Sequence, residues 1–277
     1  MRKHLIARIV GIIVAILLAV SIVGYLYLSD YYHADQKALS YLVPSAENVS
    51  ADSTNARNTA AETGTSDRSD TETMAAGEEP SDRGSVMISE IDKGLFLDGP
   101  GTENALIFYP GGKVEYTAYL PLLHRIASEG LDCFLTAMPG NLAILDMDRA
   151  DDIMASYSYD HWYLGGHSLG GAVAAMYAAK AEVPPEGLFL LAAYPTKQLP
   201  DIRVLELYGS EDQVLNREKL EKTAKYLPAD ATVMEIPGGN HAQFGDYGMQ
   251  DGDGMASIPA EVQQEITKEM ILKQLNP

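Results

Sequence analysis

From Ile9 to Leu28 the chain is an unbroken run of apolar and small residues without a single charge. At about 1.5 Å of helical rise per residue it is long enough to cross the hydrocarbon layer of a bilayer. One transmembrane helix is therefore expected. Arg2, Lys3 and Arg8 precede the run, while Asp30 and Asp35 follow it. The positive-inside bias then puts the amino terminus in the cytoplasm and the rest of the chain outside the cell membrane. Tyr25, Tyr27, Tyr31 and Tyr32 gather at the outer end, where amphipathic rings favour the headgroup layer. The apolar run exceeds the core of an ordinary signal peptide and no small-x-small cleavage pattern follows, so a retained anchor is expected over a cleaved leader.

Beyond the run the pattern turns polar. Ala34 to Val43 has weak helical spacing and reads as a juxtamembrane helix. Pro44 to Ser85 is Ser, Thr, Asp, Glu, Ala and Asn with almost nothing to seed a core, which reads as a disordered linker. From Val86 onward short branched-apolar runs alternate with longer helical patterns. Strands are expected near Val86–Ile91, Gly94–Asp98, Ala105–Tyr109, Asp132–Ala137, His161–Leu164, Gly187–Leu191, Arg203–Leu207 and Ala231–Ile236. Helices are expected at Tyr116–Glu129, Asp146–Tyr157, Gly171–Lys180, Arg217–Tyr226 and Pro259–Gln274. This alternation predicts a three-layer α/β fold on a mostly parallel sheet, and two leading strands without a helix between them predict an antiparallel start. The chain thus divides into a cytoplasmic stub and anchor (1–28), a juxtamembrane segment and linker (29–85) and a folded domain (86–277).

Composition changes this picture in two places. A formal net charge of −19 would repel the phosphates of nucleic acid, so no nucleic-acid partner is expected. A single cysteine, Cys133, excludes an intrachain disulfide and lies in an apolar run that predicts burial.

Candidate chemistry centres on Tyr163-Leu-Gly-Gly-His-Ser168-Leu-Gly-Gly-Ala172. A strand ends here, the chain turns sharply and a helix begins. Gly166, Ser168 and Gly170 have the G-x-S-x-G spacing of a nucleophile elbow, in which a strained turn lifts a serine hydroxyl clear of the sheet edge. The glycines leave room where strand and helix nearly touch. The following helix directs free N–H groups and the positive end of its dipole at the serine.

With Tyr109-Pro-Gly-Gly112-Lys113-Val after an early strand and Gly239-Asn-His241-Ala-Gln-Phe-Gly after the last, the elbow makes the chain from about Val86 to its end resemble the α/β-hydrolase superfamily. Its outline is close to that of dienelactone hydrolases, which carry cysteine where this chain has Ser168. The resemblance implies the chain order nucleophile, acid, histidine. Open α/β sheets bind ligands beyond the carboxyl ends of their strands. Asp201 and Asp230 precede strands and Glu206 lies inside one, which leaves Glu211 and Asp212. The family pattern favours Asp212, with Glu211 as its alternative. Of six histidines, only His241 follows the acid.

A serine hydrolase built on Ser168, Asp212 and His241 is implied, attacking a small acyl substrate. The N–H of Leu169 and that of Gly112 or Lys113 would hold the oxyanion. Asn141, Phe244 and Tyr247 are candidate pocket residues. An ester is the leading substrate, with a thioester, amide or lactone as the alternative; a silent surface-tethered binding module is the reading from another class. Asp251-Gly-Asp253-Gly resembles the start of a calcium loop, yet Met255 and Ala256 stand where that loop needs an oxygen ligand and a glycine. No metal and no cofactor are expected. The connection from Ala192 to Pro200 is too short for a helical lid, so an open site preferring short acyl groups is expected.

Overall fold

A computed structural model describes residues 2–43 and 86–275; the expected linker, Pro44 to Ser85, lies outside the described residues. Eight strands form one sheet in the order β1-β2-β4-β3-β5-β6-β7-β8. They are β1 (Met87–Ile91), β2 (Gly94–Asp98), β3 (Asn104–Tyr109), β4 (Asp132–Thr136), β5 (His161–His167), β6 (Gly187–Leu191), β7 (Arg203–Gly209) and β8 (Thr232–Ile236). Strand β1 pairs antiparallel with β2, and β2 with β4; the pairings from β4 through β8 are parallel. The three-layer architecture and antiparallel start expected from the sequence are observed.

Alternation along the central strands divides the core. Leu106 and Phe108 of β3, Phe189 and Leu191 of β6, and Leu205 and Leu207 of β7 pack under α3 (Leu120–Ala127) and α7 (Ala260–Leu275). Ala105, Ile107 and Tyr109, with Leu188 and Leu190, face α4 (Arg149–Ser156) and α5 (Leu169–Ala178). A strand buried on both faces reads as a continuous apolar run, as Gly187–Leu191 does.

Several elements differ from expectation, three of them near the carboxyl edge of the sheet. Strand β5 runs on through Gly165, Gly166 and His167 because β3 and β6 pair with it on both sides, so ladder bonds override the turn propensity of two glycines. The helix expected from Tyr116 opens as a tight 3₁₀ turn, Tyr116–Tyr119, before α3. The helix expected from Asp146 starts at Arg149, after two short 3₁₀ turns at Pro139–Asn141 and Ala143–Leu145.

The amino-terminal region is α1 (Arg2–Ser29), whose window Ile12–Ser29 has a mean hydropathy of 2.5 and is long and apolar enough to cross a membrane. The segment after it, expected to be juxtamembrane, is built into the domain. Tyr32 N–H donates to the Lys113 carbonyl at 2.7 Å, and Glu115 N–H donates back to the Tyr32 carbonyl at 2.8 Å. Glu115 Oε2 accepts from Ala34 N–H at 3.0 Å. The chain then forms α2 (Gln36–Ser40), shorter than the expected Ala34–Val43, with Asp35 capping its amino end and Ala38 fully buried against the core of the domain.

Candidate active site

Ser168, Asp212 and His241 follow β5, β7 and β8, so all three stand at the carboxyl edge of the sheet. Ser168 has φ 52° and ψ −120°, a conformation that costs an L-residue on the order of 1–3 kcal/mol and is held only by its surroundings. Its N–H donates to the Leu191 carbonyl at 2.9 Å and its carbonyl accepts from Ala172 at 3.0 Å. The elbow needs its glycines: a Cβ on Gly170 would stand 2.2 Å from the Pro110 and Tyr109 carbonyl oxygens, and one on Gly166 2.7 Å from the Tyr109 oxygen.

Asp212 is buried in the loop after β7. One carboxylate oxygen accepts the N–H groups of Val214 and Leu215, at 2.9 and 2.8 Å. The other lies 2.9 Å from His241 Nδ1. Glu211, the alternative acid, instead accepts from the Ser210 hydroxyl. The His241 ring is buried and its Nε2 has no hydrogen-bond partner. Its centroid lies 4.6 Å from that of His167, the residue immediately before Ser168. The structure thus joins Asp212 to His241 and sets the histidine beside the elbow, while no hydrogen bond joins Ser168 to His241 in this state.

Of the expected oxyanion donors, Leu169 N–H belongs to the first residue of α5, where an N–H has no partner within the helix. Gly112 and Lys113 are separated by their hydrogen bonds. Lys113 adopts φ 60° and its N–H donates to the Asn141 carbonyl at 2.8 Å. That amide is occupied, whereas Gly112 N–H has no partner among the described residues. Lys113 is therefore not the expected donor: its N–H is taken up by the Asn141 carbonyl of the neighbouring loop and is not free to hold an oxyanion. Its ammonium pairs with Asp30 at 2.8 Å and lies 4.7 Å from the centre of the Tyr27 ring.

The pocket candidates fare differently. Asn141 is half-buried at the rim and fixes the Lys113 turn through its carbonyl. Phe244 is fully buried with its ring 5.6 Å from His167, a packing position and not a lining one. Tyr247 is also buried, packs on Tyr32 at 5.6 Å, and donates to Gln250 at 3.0 Å. The connection from Ala192 to Ile202 holds no helix.

Sequence reasoning missed two supporting groups. Tyr119 is fully buried; its hydroxyl accepts Gly111 N–H at 3.0 Å and stands 2.8 Å from His167 Nδ1. It therefore ties the loop bearing Gly112 to the strand that leads into Ser168. Burial first, and then the neighbouring His241, holds the His167 pKa well below its ordinary value, against a smaller opposing contribution from the His241 backbone. His167 is a neutral strut. Asp253 accepts Ala242 N–H at 2.9 Å and Gln213 N–H at 3.3 Å, clipping the histidine loop to the acid loop. It lies in the acidic, glycine-rich stretch that resembles the start of a calcium loop, but its partners lie far apart in sequence.

The sequence profile of the Alpha/beta hydrolase family matches residues 105–265. No curated protein matches the chain by sequence. Among solved structures, TT1662 from Thermus thermophilus superposes with a TM-score of 0.54 at 14% identity, covering 70% of this chain and 99% of its own. Est1E from Butyrivibrio proteoclasticus with ferulic acid bound gives 0.51 at 16% identity, covering 69% of this chain and 100% of its own. Dienelactone hydrolase from Anabaena variabilis gives 0.51 at 12%, covering 70% and 99%. At these identities the likeness speaks to fold.

Proposed function

Because this chain belongs to the alpha/beta hydrolase family, we propose that it is a membrane-anchored serine hydrolase, carboxylesterase-like, acting on an ester of a small acyl group. Ser168 Oγ attacks the acyl carbon and its proton passes to His241 Nε2. The oxyanion that forms is held by the N–H groups of Leu169 and Gly112. Collapse of that intermediate breaks the ester C–O bond, and the departing alcohol takes the proton from His241. Water then repeats the sequence on the acyl-enzyme and releases the acid. Asp212 fixes the tautomer of His241 and balances its charge after protonation.

One observation carries this reading. His241 Nδ1 is held by Asp212 at 2.9 Å, and Nε2 is left buried and unpartnered on a ring beside the elbow. A buried nitrogen without a partner costs free energy and calls for an explanation; proton transfer to and from Ser168 supplies one. The anchor reading has α1 as a single span with its amino terminus in the cytoplasm and the hydrolase domain on the other side. Retention of α1 is supported by the packing of residues 30–40 into the domain, which makes the end of the helix continuous with a structured surface.

A fluorophosphonate probe tests the chemistry. Full-length protein in detergent is expected to label, and Ser168→Ala and His241→Ala to lose labelling with their folds intact. Turnover of a short-chain ester should fall by on the order of 10⁴ or more in either variant. Undiminished labelling of Ser168→Ala would refute the assignment.

A further inference from the structure

Helix α1 meets the domain through its last turn. Leu28 packs on Gly140, where a Cβ would come within 2.9 Å of a Leu28 methyl group. Tyr27 lies beneath the Lys113 ammonium and Asp30 pairs with it. Gly140 and Lys113 sit on the loops after β4 and β3, at the same carboxyl edge that carries Ser168. Upstream, the large apolar side chains of α1, among them Ile12, Leu17, Val20 and Leu26, are exposed, and none of the window Ile12–Ser29 is buried by the domain.

A membrane helix that leaves the domain from one edge, unburied through its window Ile12–Ser29, brings that edge closest to the membrane. The joint is not a loose hinge. Tyr32 bonds to the Lys113 and Glu115 backbones on both sides, and Tyr32 Oη accepts Asp251 N–H at 3.1 Å. The same edge also presents Ile144 and Leu145, 43% and 57% exposed, on the 3₁₀ turn just after Gly140. Apolar side chains beside the end of a membrane span are suited to the headgroup and acyl boundary. A net charge of −19 gives no attraction to an anionic leaflet, so the anchor and these apolar contacts must set the orientation.

We propose that the catalytic edge faces the bilayer, with Ile144 and Leu145 in its surface, and that the substrate is a short-chain ester borne by a membrane-resident amphiphile. The substrate class rests on the hydrolase and anchor readings given above. The scissile carbonyl is then delivered at headgroup depth, where the open edge around Ser168 meets it without a lid.

The test uses full-length protein in phosphatidylcholine vesicles. Single cysteines replace Leu145, at the catalytic edge, and Val183, 83% exposed in the connection preceding β6 at the opposite edge. Each is labelled with an environment-sensitive fluorophore; Cys133 is fully buried with its thiol pKa pushed up by burial and stays unlabelled. Lipids carrying a nitroxide near the headgroup are expected to quench the label at 145 severalfold more than the label at 183. Equal quenching in protein that floats with the vesicles overturns the orientation, whatever the enzyme hydrolyses. Protein that fails to float overturns the inference through the anchor.

A second arm measures hydrolysis of an acetyl ester displayed on a vesicle lipid. Protein in the same vesicles is expected to act on it about tenfold faster than protein in separate vesicles, through its higher effective concentration, and faster than on the soluble alcohol acetate at equal bulk concentration. Preference for the soluble acetate overturns the substrate class while the quenching result stands. Loss of hydrolysis of both esters would instead count against the hydrolase reading on which the class rests.

Discussion

Glu206 offers a sharp test of how the sheet's interior is charged. It lies in β7 between Leu190 of β6 and Val233 of β8, is 2% exposed, and has one carboxyl oxygen without a partner. Burial raises its pKa from 4.5 to about 8. The folded protein therefore holds a proton that the unfolded chain releases above about pH 4.5, so this residue's contribution to stability is complete below that pH. It declines as the pH rises toward 8 and then levels off. At about 1.4 kcal/mol per unit, the full shift amounts to about 5 kcal/mol, and roughly 70% of it is lost by pH 7. Glu206→Gln keeps the shape and removes the titration. Urea unfolding of full-length protein in micelles, followed by the fluorescence of Trp162, the single tryptophan, measures the difference. The variant should match the parent near pH 4.5 and exceed it by several kcal/mol at pH 8.5. Asp132 and Asp246, also raised by burial, add pH dependence of the same sign to both proteins and cancel in the comparison. Parallel pH profiles would refute the reasoning.

Tyr119→Phe removes the hydroxyl that accepts Gly111 N–H; loss of about 1–1.5 kcal/mol of loop positioning should lower kcat roughly tenfold with KM little changed, and an unchanged kcat would remove the tyrosine from the oxyanion scaffold. Proteolytic cleavage between residues 44 and 85 should leave the hydrolase domain on vesicles in native buffer, because residues 30–40 remain packed on it; release without denaturant would show that packing to be weak. In an ester series from acetyl to palmitoyl, kcat/KM should fall as the acyl chain lengthens, since each buried methylene yields about 0.8 kcal/mol only where walls exist to bury it. A rise toward long chains would show an acyl groove.

The parts of the fold legible in sequence are those written locally. Alternating and continuous apolar runs marked the strands, and the Gly-x-Ser-x-Gly spacing marked the elbow, because pleat, burial and tight turn each act within a few residues. What escaped depends on partners distant in sequence. Nothing in Asp30-Tyr-Tyr-His-Ala-Asp35 signals that Tyr32 will lie beside Val114 as a parallel bridge. The extension of β5 through two glycines depends on neighbours supplied by β3 and β6. Of the two amides at Gly112 and Lys113, sequence could not say which was free, since that turns on the hydrogen bond Lys113 N–H makes to Asn141 on a separate loop.

The stretch after His241 shows how these distant contacts preorganise the site. A polar, glycine-rich loop of this length reads as a cover able to swing over a substrate, yet its contacts hold it in place. Asp253 accepts amides from both the acid and histidine loops, and Asn240 Nδ2 donates to the Gly254 carbonyl at 2.8 Å. Asp251 N–H reaches Tyr32 Oη, and Ser257 N–H reaches the Gly238 carbonyl at 2.8 Å. From the other side, Gln263 of α7 brackets Asn240, accepting its N–H and donating to its carbonyl, each at 2.9 Å. Moving the loop as a lid would break these bonds together and loosen the Asp212–His241 pair whose alignment the proposed mechanism requires. The loop is therefore a brace. Since Tyr32 joins that brace to the Lys113 turn, the segment after α1 touches both the Gly112–Lys113 loop and the loop that follows His241.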